Sequence, residues 1–148
     1  ECRGPEAFDM MQAMNTGHDG SMTTAHANTA RDAFARLETM VMMASQNIPD
    51  NVVRQMLASA VQLVLHCARM PDGARKITAI SEVCGVEDED VVMEDIFVLQ
   101  RTGVGSRGQV LGKFAATGRR PDFLDRLKAY GVHLPASIFA EEHELKER

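Results

Sequence analysis

Glu1 and Arg3 stand two residues apart at the head of the chain, and His18, Asp19 and His26 follow in the polar stretch Asn15 to Asn28. That stretch holds two histidines, three threonines, two glycines, two asparagines and an aspartate in fourteen residues. A segment that only filled a core would not have this composition. The residue types suit phosphate chemistry. A carboxylate can hold a magnesium shell or orient an attacking water, and an arginine and histidines can sense or stabilise a γ-phosphate as charge develops. Thr23 and Thr24 add hydroxyl donors. The plainer alternative is that His18 caps a turn and His26 is a satisfied core histidine. Two histidines in one glycine-bounded stretch, just after Glu-x-Arg-Gly, favour the phosphate reading.

Other chemistries fit less well. His18, Asp19 and His26 could ligate a metal on a bent loop, but their spacing matches no common zinc pattern. Ser21 lies near both histidines and Asp19, yet no G-x-S-x-G elbow surrounds it. Gly103-Val-Gly105-Ser-Arg-Gly108 matches a dinucleotide fingerprint letter for letter. A strand-like Gln109-Val-Leu-Gly-Lys-Phe follows where that fingerprint needs a helix, so a hairpin turn is expected instead. Gly112-Lys113 echoes the end of a phosphate loop, but Phe114 replaces the hydroxyl that would hold magnesium.

The bulk numbers bound the class. A chain of 148 residues with 45% hydrophobic and 25% charged residues is expected to form one soluble globular domain. No apolar run approaches the ~20 residues of a membrane span, and no signal-peptide pattern opens the chain. A net charge of -5 argues against broad nucleic-acid binding. Cys2, Cys67 and Cys84 form no Cys-x-x-Cys pair, so free thiols in a reducing cytoplasm are expected. Ten methionines, one tyrosine and no tryptophan suggest a core of flexible aliphatic side chains. The chain opens at Glu1 without an initiator methionine, on what reads as the end of a motif. It is therefore expected to be a piece cut just before Glu1.

The elements that must position the site follow in order. Gly4-Pro5 starts a helix with Ala7, Phe8, Met11 and Met14 on one face, and Gly17 stops it. Ser21 to Ala27 has the length and threonines of a short strand. Thr29-Ala30-Arg31-Asp32 resembles a capping box for a helix carrying Ala33, Phe34, Leu37, Met40, Val41 and Ala44 inward, ending near Gln46-Asn47. Pro49-Asp50 opens another helix with Val53, Leu57, Ala60 and Val61. Leu63 to Cys67 could be a strand or the end of that helix. After the Pro71-Asp72-Gly73 turn, Lys76 to Val83, Val91 to Gln100 and Gln109 to Phe114 read as strands. Glu87 to Asp90 and Gly103 to Gly108 read as hairpin links. Pro121 opens a last helix with Leu124, Leu127 and Tyr130 inward, closed by Gly131. Glu141 to Arg148 reads as a charged tail, a solvated helix end or frayed. The sum is a mixed α/β chain: a first half like part of a layered α/β sheet, and a second half like an antiparallel meander.

Residues 1 to 28 closely resemble the Walker B and histidine-box region of the type II/type IV secretion ATPases, and the nearest branch resembles the tight-adherence (Flp-type) pilus assembly ATPases. The likeness continues through Arg36 to Met40, the Pro71-Asp72-Gly73 turn, Ile80 to Val83 and Asp95 to Phe97. It implies the carboxyl-terminal portion of a RecA-like P-loop ATPase domain over residues 1–148, without the Walker A half. It implies a homo-hexamer, cytoplasmic and peripheral to the inner membrane, that uses ATP and Mg to drive pilin assembly or secretion with inner-membrane platform proteins, and no nucleic-acid partner. By the resemblance, Glu1 and Arg3 match the end of Walker B, and Gly17, His18, Gly20, Ser21, Thr24, His26 and Ala27 match the histidine box. Glu1 would polarise the attacking water or hold Mg through water, and Arg3 would link the end of Walker B to the nucleotide or a neighbouring element. Thr24 would contribute to nucleotide binding. His18 and His26 would couple γ-phosphate state to the ring. Arg31 and Arg36 are candidate interface arginines. The Walker A loop, acidic box and amino-terminal domain of such enzymes lie upstream of Glu1. Without them the chain is not expected to hold ATP tightly, and its first half is expected to carry an unpaired sheet edge. The competing expectation is a non-catalytic module that keeps the fold and binds motor partners without turnover.

Overall fold

A computed structural model describes residues 1–45, 47–140 and 142–144. The order is α1 (Glu6–Asn15), α2 (Ala30–Ala44), α3 (Asp50–Ala60), β1 (Leu63–Arg69), β2 (Arg75–Glu87), β3 (Asp90–Val104), β4 (Val110–Ala116), α4 (Leu124–Ala129), a 3-10 turn (Ala136–Phe139) and β5 (Glu142–Glu144). The strands make one sheet in the order β1-β2-β3-β4-β5. Two compact units share the chain: Glu1–Gln62 with Val83–Met93, and Leu63–Glu82 with Glu94–Arg148.

The first unit packs its three helices pairwise. Their inward stripes meet at Ala7, Met11, Phe34, Leu37, Met40, Val41, Val53, Leu57 and Ala60, all buried. The spacing of these residues is helical, so one face of each helix is dry. Thr29 caps α2 by accepting the Asp32 N–H at 3.0 Å, as the capping box predicts. α1 ends at Asn15, and Gly17 follows in the left-handed region (φ 88°). Arg54 on α3 pairs with Glu38 on α2 at 2.8 Å and donates to the Glu89 carbonyl in the β2–β3 turn.

The second unit is the expected meander, with its strands longer than the sequence suggested. β1 pairs antiparallel with β2, β3 with β4, and β4 with β5. Asp88 and Glu89, which belong to the first unit, both have positive φ, the backbone a two-residue hairpin between β2 and β3 requires. Ile96, Leu124 and Phe139 form the core of the second unit, with Ile80, Phe97, Phe123, Leu127 and Ile138 against them. Glu82 is 3% exposed. One of its oxygens accepts the Asp122 and Phe123 N–H groups ahead of α4, at 2.8 and 3.2 Å, and the other takes Arg119 at 3.1 Å. Arg119 also pairs with Glu94 and Asp122.

Four expectations are corrected. Ser21 to Ala27 forms no strand: besides the turn bond from the Ser21 N–H to the His18 carbonyl (3.3 Å), the Cys2 N–H to Thr24 carbonyl bond (2.8 Å) is the one backbone bond that reaches it among the described residues, and a strand needs a ladder. The first half is therefore helical and not a layered α/β sheet; Glu1–Gln62 holds no strand among its described residues. Tyr130 is 73% exposed and Ala44 is exposed, because each sits at or past the last turn of its helix, where the inward stripe ends. Residues 142–144 of the expected tail pair with β4 as β5; residue 141 and residues 145–148 lie outside the described residues, as does Gln46, where α2 was expected to end. Leu63 to Cys67 resolves as strand.

Two predictions follow from the second unit. Arg119→Ala removes the guanidinium that pairs with the buried Glu82 and lowers the unfolding free energy by about 3 kcal/mol; Glu82→Gln in the same chain restores part of this, as urea titration of both variants would show. Asp72 accepts the N–H groups of Val110 (2.6 Å) and Ala74 (3.0 Å), and these bonds, the Val110 bond foremost, hold its carboxyl below the usual aspartate range. A lowered folded value means the stabilisation is complete above the unfolded aspartate value of about 3.9 and is lost as pH falls through the folded one. Asp72→Asn should therefore flatten the acid limb of stability below about pH 4, read as the urea midpoint against pH.

Candidate functional site

The site starts from an alternation of exposed, buried and exposed residues at Glu1, Cys2 and Arg3. Side chains two apart point to the same side and the one between points away. Cys2 points inward and is 4% exposed, its Sγ 3.3 Å from Met10 Sδ and 3.3 Å from Thr23 Oγ1. Glu1 and Arg3 then share the outer side. Arg3 donates to both carboxylate oxygens of Glu1, Nε to Oε1 and Nη2 to Oε2, each at 2.8 Å. This is the two-pronged geometry that fits guanidinium to carboxylate. His26 Nε2 comes to 3.1 Å from Glu1 Oε1. The Arg3 hydrogen bond, foremost, and the charges of Arg3 and His26 hold the Glu1 carboxyl below the usual glutamate range, so Glu1 is an anion at neutral pH.

Three further contacts fix this arrangement. The Cys2 N–H to Thr24 carbonyl bond ties the head of the chain to the histidine stretch. Arg36 on α2 donates to the His26 carbonyl at 2.9 Å. Glu6 in the first turn of α1 accepts the Arg3 and Gly4 N–H groups at 2.6 and 3.1 Å. The Arg3 bond chiefly holds its carboxyl low. The Glu6 carboxylate thus satisfies N–H groups of the chain that leads into α1.

The structure thus brings Glu1, Arg3 and His26 together. His18 is placed elsewhere in the stretch: its Nδ1 lies 3.0 Å from the Ala13 carbonyl at the end of α1, where the ring caps the helix. The Thr24 side chain is exposed, and its backbone carries the contact to Cys2. Arg31 reaches the Met93 carbonyl at 3.4 Å. Ser21 Oγ donates to the His18 carbonyl at 2.7 Å, so the hydroxyl is bonded to backbone and not to a ring nitrogen. No three side chains that could ligate a metal cluster together among the described residues. The Gly103–Gly108 segment closes a hairpin, with Gly105 N–H on the Gln109 carbonyl and Gly108 N–H on the Gly105 carbonyl.

Sequence reasoning passed over Cys2, Glu6 and the part Arg36 plays. Glu6 was legible as an acid in the first helical turn. Cys2 was legible only as the inward member of the Glu1-Cys2-Arg3 alternation. The bond from Arg36 to His26 has no local signal. Beside the cluster, Arg3, Ala35, Arg36, Thr39, Met40 and Met43 line an open groove of about 460 Å³. Two guanidinium groups flank it.

The chain is similar to several known proteins. A putative conjugal transfer protein of Mycobacterium tuberculosis is 37% identical over 81 residues, 55% of this chain and 22% of that protein. The type IV secretion system protein PtlH of Bordetella pertussis is 38% identical over 79 residues, 51% of this chain and 23% of that protein. The crystal structure of the VirB11 ATPase of the Brucella suis type IV secretion system, in complex with sulphate, superposes with a TM-score of 0.52 at 33% identity, over 55% of this chain and 25% of that one. The matched part of the chain therefore spans about a quarter or less of each relative's length. The family described as Type II/IV secretion system protein matches residues 1–105, from the Glu1–Arg3 pair through β3, and the chain belongs to that family.

Proposed function

We propose that this chain is the carboxyl-terminal part of a RecA-like ATPase of the tight-adherence pilus branch. The enzyme hydrolyses ATP to power pilus assembly or secretion across the inner membrane. It works as a homo-hexamer, cytoplasmic and peripheral to that membrane, against inner-membrane platform proteins. The observation that carries the reading is the Glu1–Arg3–His26 cluster, an ionised carboxylate gripped by arginine beside a histidine, within the segment matched by the family.

Magnesium takes one or two carboxylates, keeps several waters and shares substrate phosphates. Glu1 fits the role of one carboxylate acting through water. The described residues hold no loop of backbone N–H groups that could cradle phosphates, so they do not fit a whole nucleotide by themselves. When bound, Mg supplies charge that neutralises the phosphates.

The chain's own residues then have definite tasks. Glu1 holds or orients water at its carboxylate. Arg3 keeps Glu1 ionised and positioned, and its guanidinium also faces the groove shared with Arg36. His26 reports on Glu1 through Nε2, and its backbone ties this to α2 through Arg36. His18 is a positioning residue that holds the loop against α1. Thr24 offers an exposed hydroxyl on the same loop.

A second reading has one observation in its favour: no phosphate loop lies among the described residues. On that reading the chain is a non-catalytic module that binds motor partners. Two experiments separate the readings. Glu1→Gln in the intact enzyme should retain ATP binding and lose turnover by on the order of 100-fold; turnover at the wild-type rate would remove Glu1 from the mechanism. Millimolar Mg-ATP should raise the melting temperature of the intact enzyme, since ligand at 100 times its dissociation constant adds about 2.7 kcal/mol. The same addition should leave the melting temperature of the 148-residue chain unchanged.

A further inference from the structure

Four arginines gather at one end of the second unit. Arg69 and Arg75 stand opposite each other on β1 and β2, on either side of the turn that joins those strands. Arg101 and Arg107 lie in the β3–β4 hairpin. The two turns are neighbours, because Asp72 in the first accepts the Val110 N–H at the start of β4 (2.6 Å) and Lys76 donates to the Val110 carbonyl (3.0 Å). All four arginines are exposed, and none makes an ion pair among the described residues. Arg3, Arg54 and Arg119, by contrast, are each paired with a carboxylate. Residues 69–76 and 100–109 contain a single acid, Asp72, and its two oxygens are taken by the Ala74 and Val110 N–H groups. Like charges directly opposite on paired strands are destabilising. Arg69 and Arg75 therefore mark a surface that an anion from outside would relieve.

The chain itself carries a matching anion. Glu87, Asp88, Glu89 and Asp90 form the β2–β3 turn in the first unit, four acids in a row. All are exposed, and none of their carboxylates is paired among the described residues. A two-residue hairpin with positive φ at both positions ordinarily takes Asn-Gly or Asp-Gly. Here Asp88 (φ 47°) and Glu89 (φ 69°) hold those positions, so a carboxylate stands where the backbone favours glycine. Arg54 braces the turn by donating to the Glu89 carbonyl at 3.2 Å and leaves the four carboxylates unpaired.

We propose that the arginine end of one copy docks on the acidic turn, residues 87–90, of a second copy. Four unpaired guanidinium groups then meet four unpaired carboxylates, and arginine–carboxylate pairs are the strong, two-pronged kind. The contact also covers Val104, which is 70% exposed between Arg101 and Arg107 in the chain. The two patches differ, so the contact is head to tail, the kind that builds closed rings. The proposal rests on the homo-hexamer reading above and deepens it by naming the surfaces through which copies meet.

Sedimentation of the 148-residue chain tests this. The chain should self-associate in about 0.1 M NaCl and do so about tenfold more weakly in about 1 M, where the screening length falls from about 10 to about 3 Å. Arg101→Glu with Arg107→Glu should weaken association about 100-fold, and so should Glu87→Arg with Glu89→Arg. An equimolar mixture of the two double variants should associate like the wild type, since each patch again meets its opposite charge; a variant that had merely failed to fold would not be rescued. A wild-type chain that stays monomeric at about 1 mM overturns the proposal. Charge reversals without effect, or a mixture that does not associate, overturn it as well. So does a monomeric chain that binds phosphatidylglycerol vesicles through the four arginines, which makes an anionic membrane the occupant. Sedimentation of the polypeptide purified from its native source keeps the two readings apart. A hexamer there that is indifferent to Arg101→Glu with Arg107→Glu sinks this interface alone; a native polypeptide that stops at dimers joined through the two patches sinks the hexamer reading alone.

Discussion

The arrangement of the site depends on the burial of Cys2. Its thiol sits against Met10 and Thr23, and its N–H bonds to the Thr24 carbonyl. Cys2 is buried while Glu1 and Arg3 on either side of it are exposed and meet each other. Because the backbone bond runs to Thr24, His26 two residues on is delivered to the same side. One buried sulfur and one hydrogen bond therefore bring a carboxylate, a guanidinium and an imidazole within 3.1 Å contacts. The three helices behind them are the fixed support, since Met11, Val41, Val53 and Leu57 are fully buried and cannot shift without opening voids.

The same economy holds in the second unit, with charge in place of sulfur. Glu82 is the buried anion there, and its two oxygens gather the backbone ahead of α4 and the Arg119 guanidinium. A buried carboxylate is tolerated where donors meet it, as the Asp122 and Phe123 N–H groups and the Arg119 guanidinium do here. At the other end of the meander, Asp72 on the β1–β2 turn reaches the Val110 N–H at the start of β4, and Lys76 donates to the Val110 carbonyl at 3.0 Å. Polar side chains thus fix connections that the strand ladders alone would leave to their turns.

Membership of the type II/IV secretion system family and the geometry of the cluster bear on different questions. The family match runs from Glu1 through β3 and says which proteins this chain descends with. The geometry says what the residues can do. An ionised carboxylate, held by arginine and touched by histidine, can orient water and sense a nearby charge. The exposed groove beside Arg3 and Arg36 leaves the guanidinium groups accessible.

Local patterns determined much of this protein. Helical spacing marked the inward faces of α1, α2 and α3, the Thr29 cap set where α2 begins, and two glycine-rich or acidic links marked hairpins. These are short-range effects of side-chain period and backbone conformation, so the sequence carries them openly. The residue types of the site were legible for the same reason: Glu1, Arg3, His18 and His26 stand out by composition. Tertiary structure alone decided which of them meet. Thr23 and Thr24 favour extended backbone, yet Ser21 to Ala27 lacks a partner ladder and stays irregular, because a strand exists only through its neighbours. His18 turned back onto α1 while His26 reached Glu1, a choice set by the Cys2 contact to Thr24 and the Arg36 bond to His26, which span gaps no local pattern encodes. Tyr130 fell outside the core for a related reason: helical period predicts a face, but the packing partner determines where that face ends.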